Sequence, residues 1–179
     1  MGSFWYDLKK SNNDEQILCM ILMEEGYSDV FRNNSTDYNI LKTYDIKFKE
    51  NNTSYTAELK TDYLYKYTGN VAVEISCSNK PSGLSFSKSD FWFYLLGDTY
   101  YLINPQALKV FIYDNKDTLK VVFGGDNKNS KLVLIPVDQF IGLSTKNYID
   151  NISSSFKVIE DDDNLPALKI NNNNKKRRI

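Results

Sequence analysis

The stretch YDIKFKENNTSYTAELKTD, Tyr44 to Asp62, decides how the chain is read. Tyr44, Ile46 and Phe48 alternate with Asp45 and Lys47, and Tyr55, Ala57 and Leu59 alternate with Thr56, Glu58 and Lys60. That is the period-2 pattern of two half-buried strands. Asn51-Asn52 between them supplies the turn chemistry of a two-residue hairpin loop. A symmetric turn there sets Asp45 opposite Glu58 on the polar side of the hairpin, with Cβ atoms about 5 Å apart. Like charges so placed repel, and the arrangement calls for a cation between them.

Working outward, the run NVAVEIS (70–76) alternates Val71, Val73 and Ile75 with Ala72, Glu74 and Ser76. It predicts a third strand whose apolar face joins that of the hairpin and whose polar face carries Glu74 beside Asp45 and Glu58. Ahead of the hairpin, NNDEQILCMILMEEGY (12–27) places apolar residues at helical spacing, with Asn12 or Asn13 at the cap and Gly26 as terminator. Glu15 stands at the N-terminal end of that apolar stripe, where its carboxylate either points toward whatever the helix covers or closes a capping box with Asn12. Beyond the third run, DFWFYLL and TYYLI predict a buried hairpin, LKVVF and KLVLIPV outer strands or strand-helix edges, and VDQFIGL the beginning of a short helix. The expected fold class is α+β, a mixed, mostly antiparallel sheet backed by helices.

With 179 residues, 41% hydrophobic and 14% aromatic, the chain has the material for one ordered domain. No apolar run is long enough to span a bilayer and no secretory pattern opens the sequence, so the expectation is an intracellular protein with no membrane partner. Cys19 and Cys77 lack ligand or disulfide spacing and read as packing residues. Histidine is absent. That removes Ser-His and Cys-His mechanisms and leaves carboxylates and lysines to carry any chemistry. The formal charge of -1 favours neither a polyanion binder nor an acidic-surface protein. The last residues, NNNNKKRRI after EDDD, read as a polar basic tail, giving a domain over 1–168 and a disordered segment over 169–179.

Two neighbouring carboxylates are hard ligands that suit Mg²⁺ or Mn²⁺, ions that accept one or two carboxylates, waters and phosphate oxygens. Lys60 is two residues after Glu58 on the same face, roughly 7 Å along the strand, within reach of a metal-bound water or a phosphate. In outline these groups suit phosphodiester hydrolysis. Ser82, Gly83, Ser87 and Lys88 form a small polar loop suited either to phosphate contact or to plain solvation. Asp62 and Asp90 read as strand-end or turn residues, with metal or DNA contact the alternative for Asp62.

Asp45 followed by Glu58-Leu59-Lys60 resembles the PD-(D/E)XK nuclease signature, with Tyr44 where the name-giving proline would stand. The longer string ELKTDYLYKYTGNVAVEISCSNKPSGLSFSKSDFWFYL is similar to a phage- and virus-associated branch, with Ser89 in place of the usual alanine before Asp90. The resemblance covers about Asp14 to Asn104. It implies a restriction-endonuclease-like core and a Mg²⁺- or Mn²⁺-dependent DNA endonuclease in the cytoplasm or nucleus of a host cell. Asp45 and Glu58 would hold the metal, Lys60 would serve the nucleophilic water, and Glu15 and Glu74 would support them. A non-cleaving nucleic-acid-binding or assembly protein of the same fold is the alternative, and an RNA-directed nuclease a third. A homodimer pooling two basic edges fits the weak net charge.

Overall fold

The computed structural model describes residues 3–37, 40, 43–125 and 128–149, with side chains from residue 12 onward. The EDDD segment, the 168/169 boundary and the basic tail lie outside the described residues.

The chain opens with α1 (Ser3–Glu24), then β1 (Ser28–Arg32), β2 (Ile46–Glu50), β3 (Thr53–Thr61) and a single turn, α2 (Tyr65–Thr68). β4 (Asn70–Cys77), β5 (Lys80–Pro81), a 3₁₀ turn (Gly83–Ser85), β6 (Phe91–Leu96) and β7 (Thr99–Ile103) follow. The described part ends with α3 (Pro105–Asp114), β8 (Lys120–Gly124), β9 (Ser130–Pro136), α4 (Val137–Gly142) and β10 (Ser144–Ile149). Six strands form a mixed sheet in the order β1-β2-β3-β6-β7-β10, and four form an antiparallel sheet in the order β5-β4-β9-β8. The fold is α+β.

The hairpin has the expected register. Ile46 pairs with Ala57 and Glu50 with Thr53, so one further step sets Asp45 opposite Glu58. Asn51 and Asn52 both take positive φ, 48° and 66°, the conformation a two-residue turn needs to match the twist of its strands. β3 is the centre of the large sheet, antiparallel to β2 and parallel to β6.

α1 is longer than its sequence punctuation suggests. Asn12 and Asn13 lie inside it, so neither caps it and the Asn12–Glu15 capping box does not form. Its end is as expected: Gly26 at φ 92° lets Tyr27 N–H reach Leu22 O and Gly26 N–H reach Met23 O, which satisfies two orphan carbonyls. α3 has Asn104 as its cap, whose side chain accepts from Gln106 N–H and Ala107 N–H, and Pro105 at its first position.

Two apolar clusters sandwich the large sheet. On one face Leu18, Ile21 and Leu22 of α1 meet Ile46, Phe48, Ala57, Leu59, Phe93 and Leu95. On the other, Trp92, Tyr94 and Leu96 of β6 meet Val71, Val73, Val133 and Ile135 of the small sheet, with Leu108 of α3 and Phe140 of α4. The NVAVEIS run is therefore not a third strand beside the hairpin. β4 pairs with β9 and β5, and its valines face the second cluster instead of α1. Alternation marks which side of a strand is apolar but carries nothing about which sheet receives it. The DFWFYLL and TYYLI hairpin forms as β6 and β7, and VDQFIGL contains α4. KLVLIPV forms β9, an inner strand, while LKVVF forms β8 at an edge. No described helix is long and apolar enough to cross a membrane.

Candidate metal and phosphodiester site

Asp45, Glu58 and Lys60 come together where β2 and β3 meet, and Glu74 of the small sheet acts on Lys60 through its charge. β3 alternation turns Ala57 and Leu59 toward α1 and Glu58 and Lys60 toward the small sheet. The parallel register then sets Trp92 beside Glu58 and Tyr94 beside Lys60, both buried. The acidic face of the hairpin is thus an aromatic-floored cleft, not a solvated surface, and Lys60 Nζ lies 5.8 Å from the Trp92 ring centroid.

Asp45 immediately precedes β2, and its Oδ2 accepts the Leu59 N–H at 2.7 Å. That bond holds the carboxylate against β3. Burial, then the charge of Glu58, push the Asp45 carboxyl up from 3.8 to about 7, with the Leu59 bond and Lys60 opposing and Glu15 adding to the rise. Lys60 Nζ donates to Glu58 Oε1 at 2.6 Å, the two side chains being 38% and 16% exposed. Burial disfavours the ammonium of Lys60, but Glu58, Asp45 and Glu74 outweigh it and raise its pKa, so Lys60 stays charged at neutral pH. The Tyr94 hydroxyl is also pushed up, by burial and then by Asp62, Glu58 and Glu74. Glu74, on the small sheet, adds the smallest of these charge effects to both groups. Its Oε1 accepts from Ser82 Oγ at 2.6 Å.

Glu15 approaches from α1. Its Oε2 accepts from Arg32 Nε at 2.8 Å, and Arg32 Nη2 donates to Asn12 Oδ1 at 2.6 Å. The carboxylate at the start of the apolar stripe is therefore paired across to β1 while contributing charge to Asp45.

The 82–88 loop is more structural than its composition indicates. Ser82 is bonded to Glu74, and Ser87 Oγ accepts from Trp92 Nε1 at 2.9 Å. Gly83 has φ 49°, and a Cβ there would collide with the Glu74 carbonyl oxygen and lie 2.9 Å from Glu74 Cβ. Lys88 is exposed. Asp62 accepts from Leu64 N–H at 2.8 Å and from Ala72 N–H at 2.9 Å, clamping β4 to the end of β3. Asp90 accepts from both Thr56 N–H and Thr56 Oγ1. Both are strand-end residues.

Two neighbours escaped the sequence reading. Asp14 is 6% exposed, accepts from Tyr63 OH at 3.1 Å and lends its carbonyl to Tyr100 OH. A polar residue ahead of an apolar helical stripe was the only signal for it. Arg32 sat in a polar connection with nothing to mark its partner. Cys19 is buried, and burial above all pushes its thiol up to about 12, which keeps it inert. Cys77 is also free.

Among the described residues no group of three or more His, Cys, Asp or Glu side chains is gathered to hold a metal by protein ligands alone. The donor set at Asp45 and Glu58 is instead two carboxylates, one of them destabilised by burial and by the other. That fits an ion that keeps most of its waters and takes phosphate oxygens, as Mg²⁺ does. Comparison with protein-family models, with curated proteins and with solved structures returned no match to this chain.

Proposed function

We propose that the chain is a divalent-metal-dependent deoxyribonuclease. The observation that carries this reading is the meeting of Asp45, Glu58 and Lys60 in one cleft, with the Asp45 carboxyl pushed up to about 7 by burial and by Glu58 and Lys60 held as a cation. A site that spends stability on two opposed carboxylates is explained by a ligand that binds their charged forms.

Asp45 and Glu58 would hold the ion, Asp45 with its orientation fixed by the Leu59 N–H. Bound Mg²⁺ or Mn²⁺ supplies Lewis acidity at the phosphoryl oxygens and lowers the pKa of a coordinated water. Because Lys60 remains protonated, its part is electrostatic: it orients the attacking water and offsets charge gathering on the phosphoryl oxygens. The water oxygen would bond to phosphorus and give up a proton to solvent, the bond to one deoxyribose oxygen would break with its electron pair, and that oxygen would take a proton from solvent. Glu58 holds the Lys60 ammonium in place, and Glu74, fixed by Ser82, adds negative charge that favours the protonated amine. Trp92 and Tyr94 limit water beneath these groups and so strengthen every charge interaction above them.

The test is incubation of supercoiled plasmid with Mn²⁺ and either the natural chain or Lys60→Ala. The natural chain should nick and linearise the plasmid, and the variant should be slower by about a hundredfold or more. Cleavage by neither, with retarded migration of DNA by both, would overturn the hydrolase and favour the non-cleaving binding protein. Cleavage of single-stranded RNA alone would move the substrate from DNA to RNA.

A further inference from the structure

Past Glu74 the small sheet opens into a groove of about 390 Å³, bounded by the Ser78-Asn79 turn, the 3₁₀ turn and the start of β9. Its chemistry is one-sided. Lys80 and Lys131 line it together with Asn79, Asn129, Ser85 and the ring of Phe123, and no described carboxylate does. Neither lysine forms an ion pair with a described residue. In a chain of formal charge -1 this is local concentration, not a reflection of bulk composition.

Three of the groove's side chains are aligned by the sheet, while Lys80, paired with Cys77, joins the lining from β5. Ser76 pairs with Lys131 and Lys131 with Phe123, so the three share one face. Phe123 is on the edge strand and 65% exposed, and no cluster of the described core takes it in. The groove also adjoins the carboxylate cleft: Ser85 N–H donates to Ser82 O at 3.1 Å, and Ser82 Oγ donates to Glu74. One 3₁₀ turn separates them.

We propose that this groove binds a single-stranded segment of nucleic acid next to the carboxylate cleft, with Lys80 and Lys131 against phosphates and Phe123 under an unpaired base. Two cations with no described carboxylate in the lining match a phosphodiester chain. An exposed ring reads the face of a base, which a duplex hides inside its stack, so the aromatic selects the unpaired form. Asn79, Asn129 and Ser85 supply donors and acceptors that tolerate any base. The functional meaning of the groove rests on the hydrolase reading, but its occupancy is measurable without it.

The test is fluorescence anisotropy of a labelled oligothymidylate with the full chain in EDTA, where no cleavage occurs. The variants are Phe123→Ala and Lys80→Gln/Lys131→Gln, with thermal melts to confirm folding. Loss of the ring should weaken binding about five- to a hundredfold. Loss of both lysines should weaken it and reduce the slope of log affinity on log salt by about 1.4. Binding by both variants equal to that of the natural chain, no binding by the natural chain, equal affinity for duplex, or stronger competition from polyglutamate than from unlabelled oligonucleotide would each overturn the groove. Plasmid cleavage separates the two proposals. Normal cleavage with unaffected binding by the variants removes the groove alone, and weakened binding by them with an inactive natural chain removes the hydrolase alone.

Discussion

The Asp45 carboxylate accepts the Leu59 N–H at 2.7 Å, so a side chain continues the hydrogen-bonding row where β2 begins and holds its own charge toward Glu58. The same bond that completes the hairpin therefore fixes the groups whose repulsion defines the cleft.

The electrostatic cost of that placement has a pH signature. The Asp45 carboxyl is raised from 3.8 to about 7, so its contribution to stability is full below about pH 4, where folded and unfolded chains both hold the proton. It is lost as pH rises through 7, where the folded state must give the proton up. At about 1.4 kcal/mol per pH unit the effect is at most about 4 kcal/mol. Asp45→Asn keeps an acceptor for Leu59 and removes the charge. In metal-free buffer its stability, from urea denaturation between pH 5 and 8, should decline less with pH than that of the natural chain, and it should exceed the natural chain at pH 8. Parallel pH profiles for the two would contradict the assignment.

In the proposed hydrolase Lys60 would act by its charge, and Glu58 holds that charge at 2.6 Å. Lys60→Ala leaves Glu58 and Asp45 without their cation and should lower cleavage about a hundredfold or more. Lys60→Arg keeps the charge but spreads it over a planar fork. Its single-turnover rate should fall between those of the natural chain and the alanine variant, and equality with alanine would argue that position, not charge, is what matters.

Gly83 packs where no side chain fits. With φ at 49° and a Cβ position 2.9 Å from Glu74 Cβ, Gly83→Ala combines left-handed strain with a backbone collision. It should destabilise the fold by about 2 kcal/mol or more and disturb the Ser82–Glu74 hydrogen bond. A thermal melt within a degree of the natural chain would show that the 3₁₀ turn yields freely.

The Asn51-Asn52 turn sets the register that brings Asp45 to Glu58. Both residues are left-handed, so Asn52→Gly should stabilise slightly, while Asn51→Ala/Asn52→Ala should cost on the order of 2 kcal/mol. Chemical denaturation reads both changes. A neutral double alanine variant would mean that cross-strand packing of Phe48 and Tyr55, 5.8 Å apart, sets the register without help from the turn.

The hairpin and the placement of its three candidate residues are legible because turn chemistry and period-2 alternation are local signals. Asp45, Glu58 and Lys60 follow from residue identity once the turn is centred. The destination of β4 was not legible, since Val71 and Val73 would be equally apolar against α1 or against Trp92 and Tyr94. Glu74 therefore stands on the opposite sheet, bonded to Ser82, and acts on Lys60 only through its charge. The partnerships of Arg32 with Glu15, Ser82 with Glu74 and Asp62 with Ala72 N–H are tertiary. Each joins residues from separate elements, and a single polar letter carries no address. The start of α1 was misplaced because Asn12 and Asn13, good caps in isolation, are tolerated inside a helix that continues past them.

The central claim is a divalent cation between Asp45 and Glu58, and anomalous diffraction from a Mn²⁺-soaked crystal tests it most directly. The predicted result is one anomalous peak within about 2.5 Å of an oxygen from each carboxylate, abolished in Asp45→Asn/Glu58→Gln. Crystals at pH 8 with no peak there, or an undiminished peak in the double variant, would contradict it.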